Sequence, residues 1–483
     1  METQTGTEKC GTGTNGRGHA LARPGSTNNG EPPSVPAIMR EVICPDFLLW
    51  ATKGALAIGD QTFFAGTHFL LNVLLARWLT PVEYGAFALA YSVFVLLASV
   101  HSATFVEPML VFGAGKYGER LDEYLGILIR GHFLLMVPVS LLMAAAAFVI
   151  IRWSSSATVG HAFLTLAFAI PFILLLWMLR RAFYVELRPG WAMLGAVLYF
   201  VVLAASIFLL RATNELSTVT ALAMMSVGAF IVSCFLLLRL RPELISAHES
   251  LDSTDVARSH WSYGRWSVAG AAVGWIPLNI YYLVLPIWFG LAGAAALRAL
   301  INLINPILHI LVALGSLLLP ILARNHRNGG KASMNHPMLV SLGIFLAGSG
   351  LFSVCLWGFR SEVFQLFYGG KYQFASASLF LLLVSLVGTC ITTVLGAGLM
   401  ALERPDGNFW SFIASSILTI VVGVPLAALR GVQGAAEGLL LSGLVSALVM
   451  YFFYRRAESM HTSDQNILGE YVSSTAESEG TPS

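Results

Sequence analysis

Six polar side chains stand inside stretches that are otherwise apolar, and their spacing follows one face of a helix. Arg298, Asn302, Asn305 and His309 belong to the run that starts Ala294–Pro306 (AAALRALINLINP). On a helix Asn302 lies at i+4 and Asn305 at i+7 from Arg298, and His309 continues that face about three turns on. A guanidinium with amides along one side could bind a phosphate or a sugar acid. The plain alternative is that Arg298 snorkels to headgroups while the amides bond neighbouring helices. Asp60 and His68 lie about two helical turns apart, so they share a face and could line a water-filled cavity. Their alternative is an ordinary helix contact. His101 and Glu107 fall near the inner end of the second stretch, where Glu107, just before Pro108, is expected to be structural; Arg130 and His132 open the third from the cytoplasmic side, and Arg130 can snorkel to headgroups.

Enzyme chemistry finds no footing. The sequence has no phosphate-binding GxxxxGKS or GxxxxGKT loop, no HExxH and no GxSxG. Seven aspartates are too few and too scattered for a metal–diphosphate transferase site, the closest pair being Asp252 and Asp255. None of the five cysteines has metal-ligand spacing. No metal and no cofactor is expected, and the chain reads as a non-enzyme.

The elements that must position these residues are membrane helices. Apolar residues make up 56% of the 483 and charged residues 11%, less than half the roughly 25% usual in soluble domains. The mean hydropathy is +0.73. Twelve stretches, from Gly54–Ala76 to Ala435–Tyr454, reach the roughly 20 apolar residues that a spanning helix needs. Backbone in lipid must satisfy itself, which selects helices. An all-α integral membrane fold with about twelve spans is expected. With the N-terminus inside, twenty-one of the 28 lysines and arginines fall in inner loops, which places both termini in the cytoplasm. Tryptophans such as Trp78, Trp153, Trp266 and Trp410 sit near span ends, as interfacial rings do.

The organisation expected is a disordered tail over 1–45, a six-helix bundle over 46–238, a polar cytoplasmic linker over 239–265, a second six-helix bundle over 266–456 and a disordered tail over 457–483. A faint parallel repeat supports the division: Phe69–Ala90 and Tyr282–Leu300 each run from an apolar stretch through a short outer turn into a small-residue helix. Four prolines, Pro277, Pro286, Pro306 and Pro320, crowd the seventh and eighth spans, where they could bend the second bundle.

Three segments carry a resemblance. Leu75–Ala90 (LARWLTPVEYGAFALA), Pro320–Arg324 (PILAR) and Val363–Ala375 (VFQLFYGGKYQFA) resemble the polysaccharide and O-antigen flippases of the multidrug/oligosaccharidyl-lipid/polysaccharide (MOP) exporter superfamily. The resemblance covers about Trp50–Arg456. It implies two six-helix bundles forming a V, alternating access, and export of undecaprenyl-diphosphate-linked oligosaccharide across the bacterial inner membrane for surface polysaccharide. It also implies cationic cavity residues for the diphosphate or acidic sugars. The partners implied are the lipid-linked oligosaccharide, the bilayer and a polymerase or export machinery, with no nucleic acid. The rival readings are a cation-coupled drug exporter of the same superfamily, a peptidoglycan-precursor flippase and a non-transporting membrane scaffold.

Overall fold

The computed structural model describes residues 45–153, 156–243 and 251–478. Its packed body is one unit from Lys53 onward. The described residues are almost entirely helical and contain no strand. The spans are α1 (Pro45–Trp78), α2 (Pro81–Ala114), α3 (Gly118–Trp153), α4 (Ala157–Val185), α5 (Pro189–Ala212) and α6 (Thr218–Leu240). A single helical run then covers Ser253–Gly329. Straight, its 77 residues would reach about 115 Å, several times a hydrocarbon core of roughly 30 Å. It breaks at Gly290, whose φ of 66° is open to glycine at little cost. The break yields α7 (253–289) and α8 (291–329). There follow α9 (Ala332–Gly358), the short α10 (Arg360–Tyr368), α11 (Ser376–Ala401), α12 (Pro405–Arg430) and α13 (Val432–Ser478).

Ten described helices meet a length-and-hydropathy test for spanning. Dividing one at Gly290 and adding the more polar α1, 34 residues long, gives the twelve crossings that the sequence implies. Successive crossings put Trp78–Pro81, Gly290, the α10 segment and Gly431 on one face, here called the Gly290 face. Gly115–Tyr117, Gly330–Lys331 and Leu402–Arg404 lie on the other, the Lys116 face.

Local chemistry sets several helix starts. Thr80 accepts the Glu83 amide at 3.2 Å, and Pro81 opens α2. Ser217 and Thr220 form a capping box on α6. The Glu83 carboxylate adds a bond from the Thr218 amide at 2.8 Å, docking α6 onto α2. Asp252 accepts the Thr254 amide at 2.9 Å and starts α7.

That start shortens the expected linker. Helix α6 runs to Leu240 and α7 begins at Ser253, so the link is 241–252, of which 244–250 lie outside the described residues. Residues 253–265 are polar because they are the exposed end of a helix, not because they are a loop. At the other end α13 stays helical to Ser478, through most of the expected disordered tail 457–483. Extending a helix already nucleated by a span costs little. The expected N-terminal tail 1–45 lies almost wholly outside the described residues.

Helices α3 to α6 pack mainly on one another, as do α9, α11, α12 and α13, while the α7–α8 run packs against both groups, most closely against α2, whose main neighbour it is. Lipid offers no hydrophobic drive between helices, so small residues bring backbones together. A Cβ on Gly85 would stand 1.9 Å from the Leu291 carbonyl oxygen, and one on Gly264 would stand 2.6 Å from that of Ala103. The α2–α7 seam is tied along its length. Trp275 donates to the Ser92 carbonyl at 2.8 Å, and Lys116 pairs with Asp255 at 2.7 Å at the Lys116 face. Its bond to the Asp255 carboxylate pushes the exposed Lys116 ammonium above its ordinary value.

Candidate functional site

The convergence lies where α1, α2, α7 and α8 meet near the Gly290 face. Arg298 of α8 is 8% exposed. Its Nε donates to Asn72 Oδ1 of α1 at 3.0 Å, and its guanidinium lies 4.3 Å from the Tyr91 ring centroid of α2 and 5.9 Å from that of Tyr282 of α7. The Tyr84 hydroxyl of α2 donates to the same Asn72 oxygen at 3.4 Å. No carboxylate among the described residues pairs with Arg298. A buried cation without a counter-ion is expensive. The Tyr91 face recovers about 2 kcal/mol at a desolvated site, and the Asn72 bond contributes as a charge-assisted one.

The neighbouring polar groups are not satisfied. Asn302, one turn below Arg298, is 1% exposed, and neither its Nδ2 nor its Oδ1 has a hydrogen-bond partner. The Tyr372 hydroxyl is also buried without a partner, and the Tyr282 hydroxyl is buried with only the Arg298 guanidinium near it. The Tyr368 hydroxyl is committed to the Ala299 carbonyl at 2.9 Å. Buried polar groups are nearly always bonded, and each one left bare costs about 1–3 kcal/mol. A cation, an amide and several hydroxyls converge in one place, donors suited to an anionic group.

Asn305 is half-buried and His309 is exposed, both further along α8. Helix α8 is buried through most of Gly293–Ile304 and largely exposed from Pro306 to Ile321; α1 is buried over Leu71–Ala76 and mostly exposed before Thr67. Both helices are therefore sealed toward the Gly290 face and lose cover toward the Lys116 face.

Asp60 and His68 do share a face, and it packs on α4. Asp60 is fully buried, bonded by Arg180 Nη2 at 2.5 Å and Nε at 3.0 Å and by the Tyr184 hydroxyl at 2.7 Å. It is the anchor of an ion pair within the first six helices. His68 sits among Phe64, Tyr91, Trp177 and Tyr199, with ring centroids 4.9–6.4 Å away. Both of its ring nitrogens lack partners, as do Trp177 Nε1 and the Tyr199 hydroxyl. Tyr91 is common to this cage and to Arg298, so the two polar clusters adjoin.

Sequence reasoning missed Asn72, Tyr91, Tyr282 and Arg180. The three site residues look like ordinary span residues, and only the fold brings them to Arg298. By its place after an apolar stretch Arg180 reads as one of the twenty-one inner-loop charges, but it lies inside α4 and is 4% exposed. Its partner Asp60 lies 120 positions away, beyond any local pattern. A hollow of about 420 Å³ on α12 and α13, lined by Trp410, Ala414, Leu448, Val449, Phe452 and Phe453, is almost wholly apolar.

The arrangement matches known membrane transport folds. The structure "Lipid II flippase MurJ, inward closed conformation" superposes with a TM-score of 0.69 at 15% identity, covering 83% of this chain and 87% of that one. The two share a fold. An inward-facing multidrug resistance MATE family transporter of the MOP superfamily matches with a TM-score of 0.69 at 17% identity, over 84% of this chain and 99% of that one. An outward-facing MATE family transporter matches with a TM-score of 0.61 at 16% identity, over 85% and 96%. No protein-family model matches the sequence, and no curated protein does.

Proposed function

We propose that this chain is a flippase that moves an undecaprenyl-diphosphate-linked oligosaccharide from the cytoplasmic to the outer leaflet of a bacterial inner membrane, for surface polysaccharide synthesis. The observation that carries the reading is Arg298, a buried cation with no carboxylate partner among the described residues, set beside the buried amide of Asn302 and hydroxyl of Tyr282. A diphosphate offers acceptors that suit the Arg298 guanidinium and its neighbouring donors. The site draws on helices from both halves, so binding there senses how far the halves are separated. In this reading the Lys116 face is cytoplasmic, both termini are inside, and the state described is shut toward the outer leaflet. The sugar enters where α1 and α8 lose cover, while the lipid tail stays in the bilayer. The lipid II flippase and MATE folds support transport as the activity class. A polymerase on the outer side is the partner this role requires.

The aromatic cage around His68 favours one second reading, export of planar amphipathic molecules, because stacked rings receive such ligands. Deletion in a polymer-producing host separates the two. Loss of surface polymer with lipid-linked repeat units accumulating inside is the expected result. Intact polymer together with new dye sensitivity would overturn the flippase reading.

A further inference from the structure

Away from the site, two histidines bond to each other inside the first helix group. His101 of α2 and His132 of α3 are 1% and 0% exposed. His101 Nε2 lies 2.9 Å from His132 Nδ1, and His132 Nε2 lies 2.9 Å from the Pro171 carbonyl oxygen of α4. A carbonyl only accepts, so His132 Nε2 carries its proton. Neutral His132 then offers a lone pair at Nδ1, and His101 must donate from Nε2. These bonds fix both tautomers and leave His101 Nδ1 as the free lone pair of the pair. His101 stacks on Phe105, with centroids 5.0 Å apart, and His132 meets Phe133 at 5.0 Å.

No carboxylate, lysine or arginine among the described residues bonds to either ring. On α2 the nearest ionisable group is Glu107, and on α3 it is the exposed Arg130. The α4 contact is the Pro171 carbonyl alone. On α7, His260 faces the same turn of α2.

We propose that His101 and His132 form a proton site that couples the pH gradient to the movement of the two halves. The proposal rests on the transport reading above and adds the coupling ion. A proton arriving at His101 Nδ1 lets the Nε2 proton of His101 pass to His132 Nδ1. His101 is left neutral with Nδ1–H, and His132 becomes an imidazolium that donates to Pro171 O and back to His101 Nε2. The pair thus takes one proton without losing a hydrogen bond, and a second would set two N–H groups against each other. The single charge is buried with no counter-ion among the described residues, so it favours a state in which water reaches the pair.

The fold carries that preference to the seam between the halves. His101 immediately precedes a π-turn, Ser102–Val106, a local widening of the helix. The Thr104 carbonyl in that turn accepts from His260 Nδ1 of α7 at 3.0 Å, and His260 Nε2 takes the Tyr124 hydroxyl of α3 at 2.6 Å. Hydrating the His101 turn therefore disturbs the bonds that tie α7 to α2 and α3.

The test uses the full chain in lipid nanodiscs without substrate. Spin labels at Glu119→Cys and Glu403→Cys, with the native cysteines replaced by serine, report the separation across the Lys116 face. Lowering the pH from about 8 to about 5 is expected to change the ratio of the two distance populations by roughly tenfold, which is one pKa unit of preference. His101→Gln and His132→Gln should abolish the change, the latter keeping a donor for Pro171 O. His161→Gln, an exposed histidine, should retain it. A parent protein without a pH response, or a response that survives in either pair variant, would overturn the proposal. If the variants do not fold, ring-15N spectra of the parent decide. Nε2–H tautomers at high pH and uptake of one shared proton support the pair, whereas two independent titrations or an Nδ1–H tautomer of His132 at high pH reject it. Neither readout needs a lipid-linked sugar, so failure of the flippase reading and failure of the proton site give different results.

Discussion

The guanidinium of Arg298 in α8 lies 4.3 Å from the ring centroid of Tyr91 in α2. A cation from the second half of the chain is thus held by an aromatic face from the first. Separating the halves removes that face, so the contact belongs to the state shut at the Gly290 face. Tyr91→Phe keeps the ring and should leave the balance of states unchanged. Tyr91→Leu should cost that state about 1–2 kcal/mol, the worth of a desolvated cation–π contact. Cysteine accessibility on the Gly290 face, compared between the two variants, checks the difference.

Asn302 separates stability from function. Its amide is buried with both polar atoms bare. Replacing an unsatisfied polar group with an apolar one of similar shape removes a desolvation penalty of about 1–3 kcal/mol. Asn302→Leu should therefore raise the melting temperature while lowering polymer export. A lower melting temperature with normal export would make Asn302 a packing residue.

The site was half legible in the sequence. Arg298 stands out because a guanidinium among the twelve other residues of Ala294–Pro306, all apolar or amide, is costly in lipid, and the helical period aligns Asn302 with it. Tyr91 and Tyr282 gave no signal, since aromatic residues in spans are usual and their proximity to Arg298 needs the fold. The twelve spans were legible because backbone satisfaction in lipid leaves one solution. Pairing was not. Arg180 and Arg181 stand side by side, yet only Arg180 turns inward to Asp60. A charge count cannot tell a loop arginine from one neutralised inside a helix group.

That ion pair is the sharpest stability prediction. Arg180 and Asp60 side chains are 5% and 0% exposed. Removing one partner leaves an uncompensated charge and should destabilise by about 3–5 kcal/mol. Asp60→Asn and Arg180→Met should each lower the melting temperature strongly. The double variant Asp60→Leu/Arg180→Met should recover most of the loss. Recovery in melting but not in polymer export would give the pair a transport role as well.

The Gly290 face is held by a reciprocal exchange between the halves. Lys371, after the α10 segment, donates to the carbonyls of Arg77 at 2.6 Å and Leu79 at 2.8 Å, at the C-terminus of α1. Arg77 in turn donates to the Leu366 carbonyl near the C-terminus of α10. Each half thus offers a cation to the negative end of a helix in the other. Burial of the ammonium, with Arg211 and Arg77 nearby, holds Lys371 below its ordinary value of 10.5. The shut face therefore binds this proton less tightly than an open face would. Raising the pH toward 10.5 favours the shut state, and lowering it removes that advantage. Lys371→Ala should release the Gly290 face, and Arg77→Ala should do so through the opposite helix. Lys371→Arg should keep the face shut and lose the alkaline response. Distances between labels on the Gly290 face, measured at about pH 8 and about pH 10, would decide. An alanine variant indistinguishable from the parent at both would show that packing at Gly85 and Leu291 alone keeps the halves together.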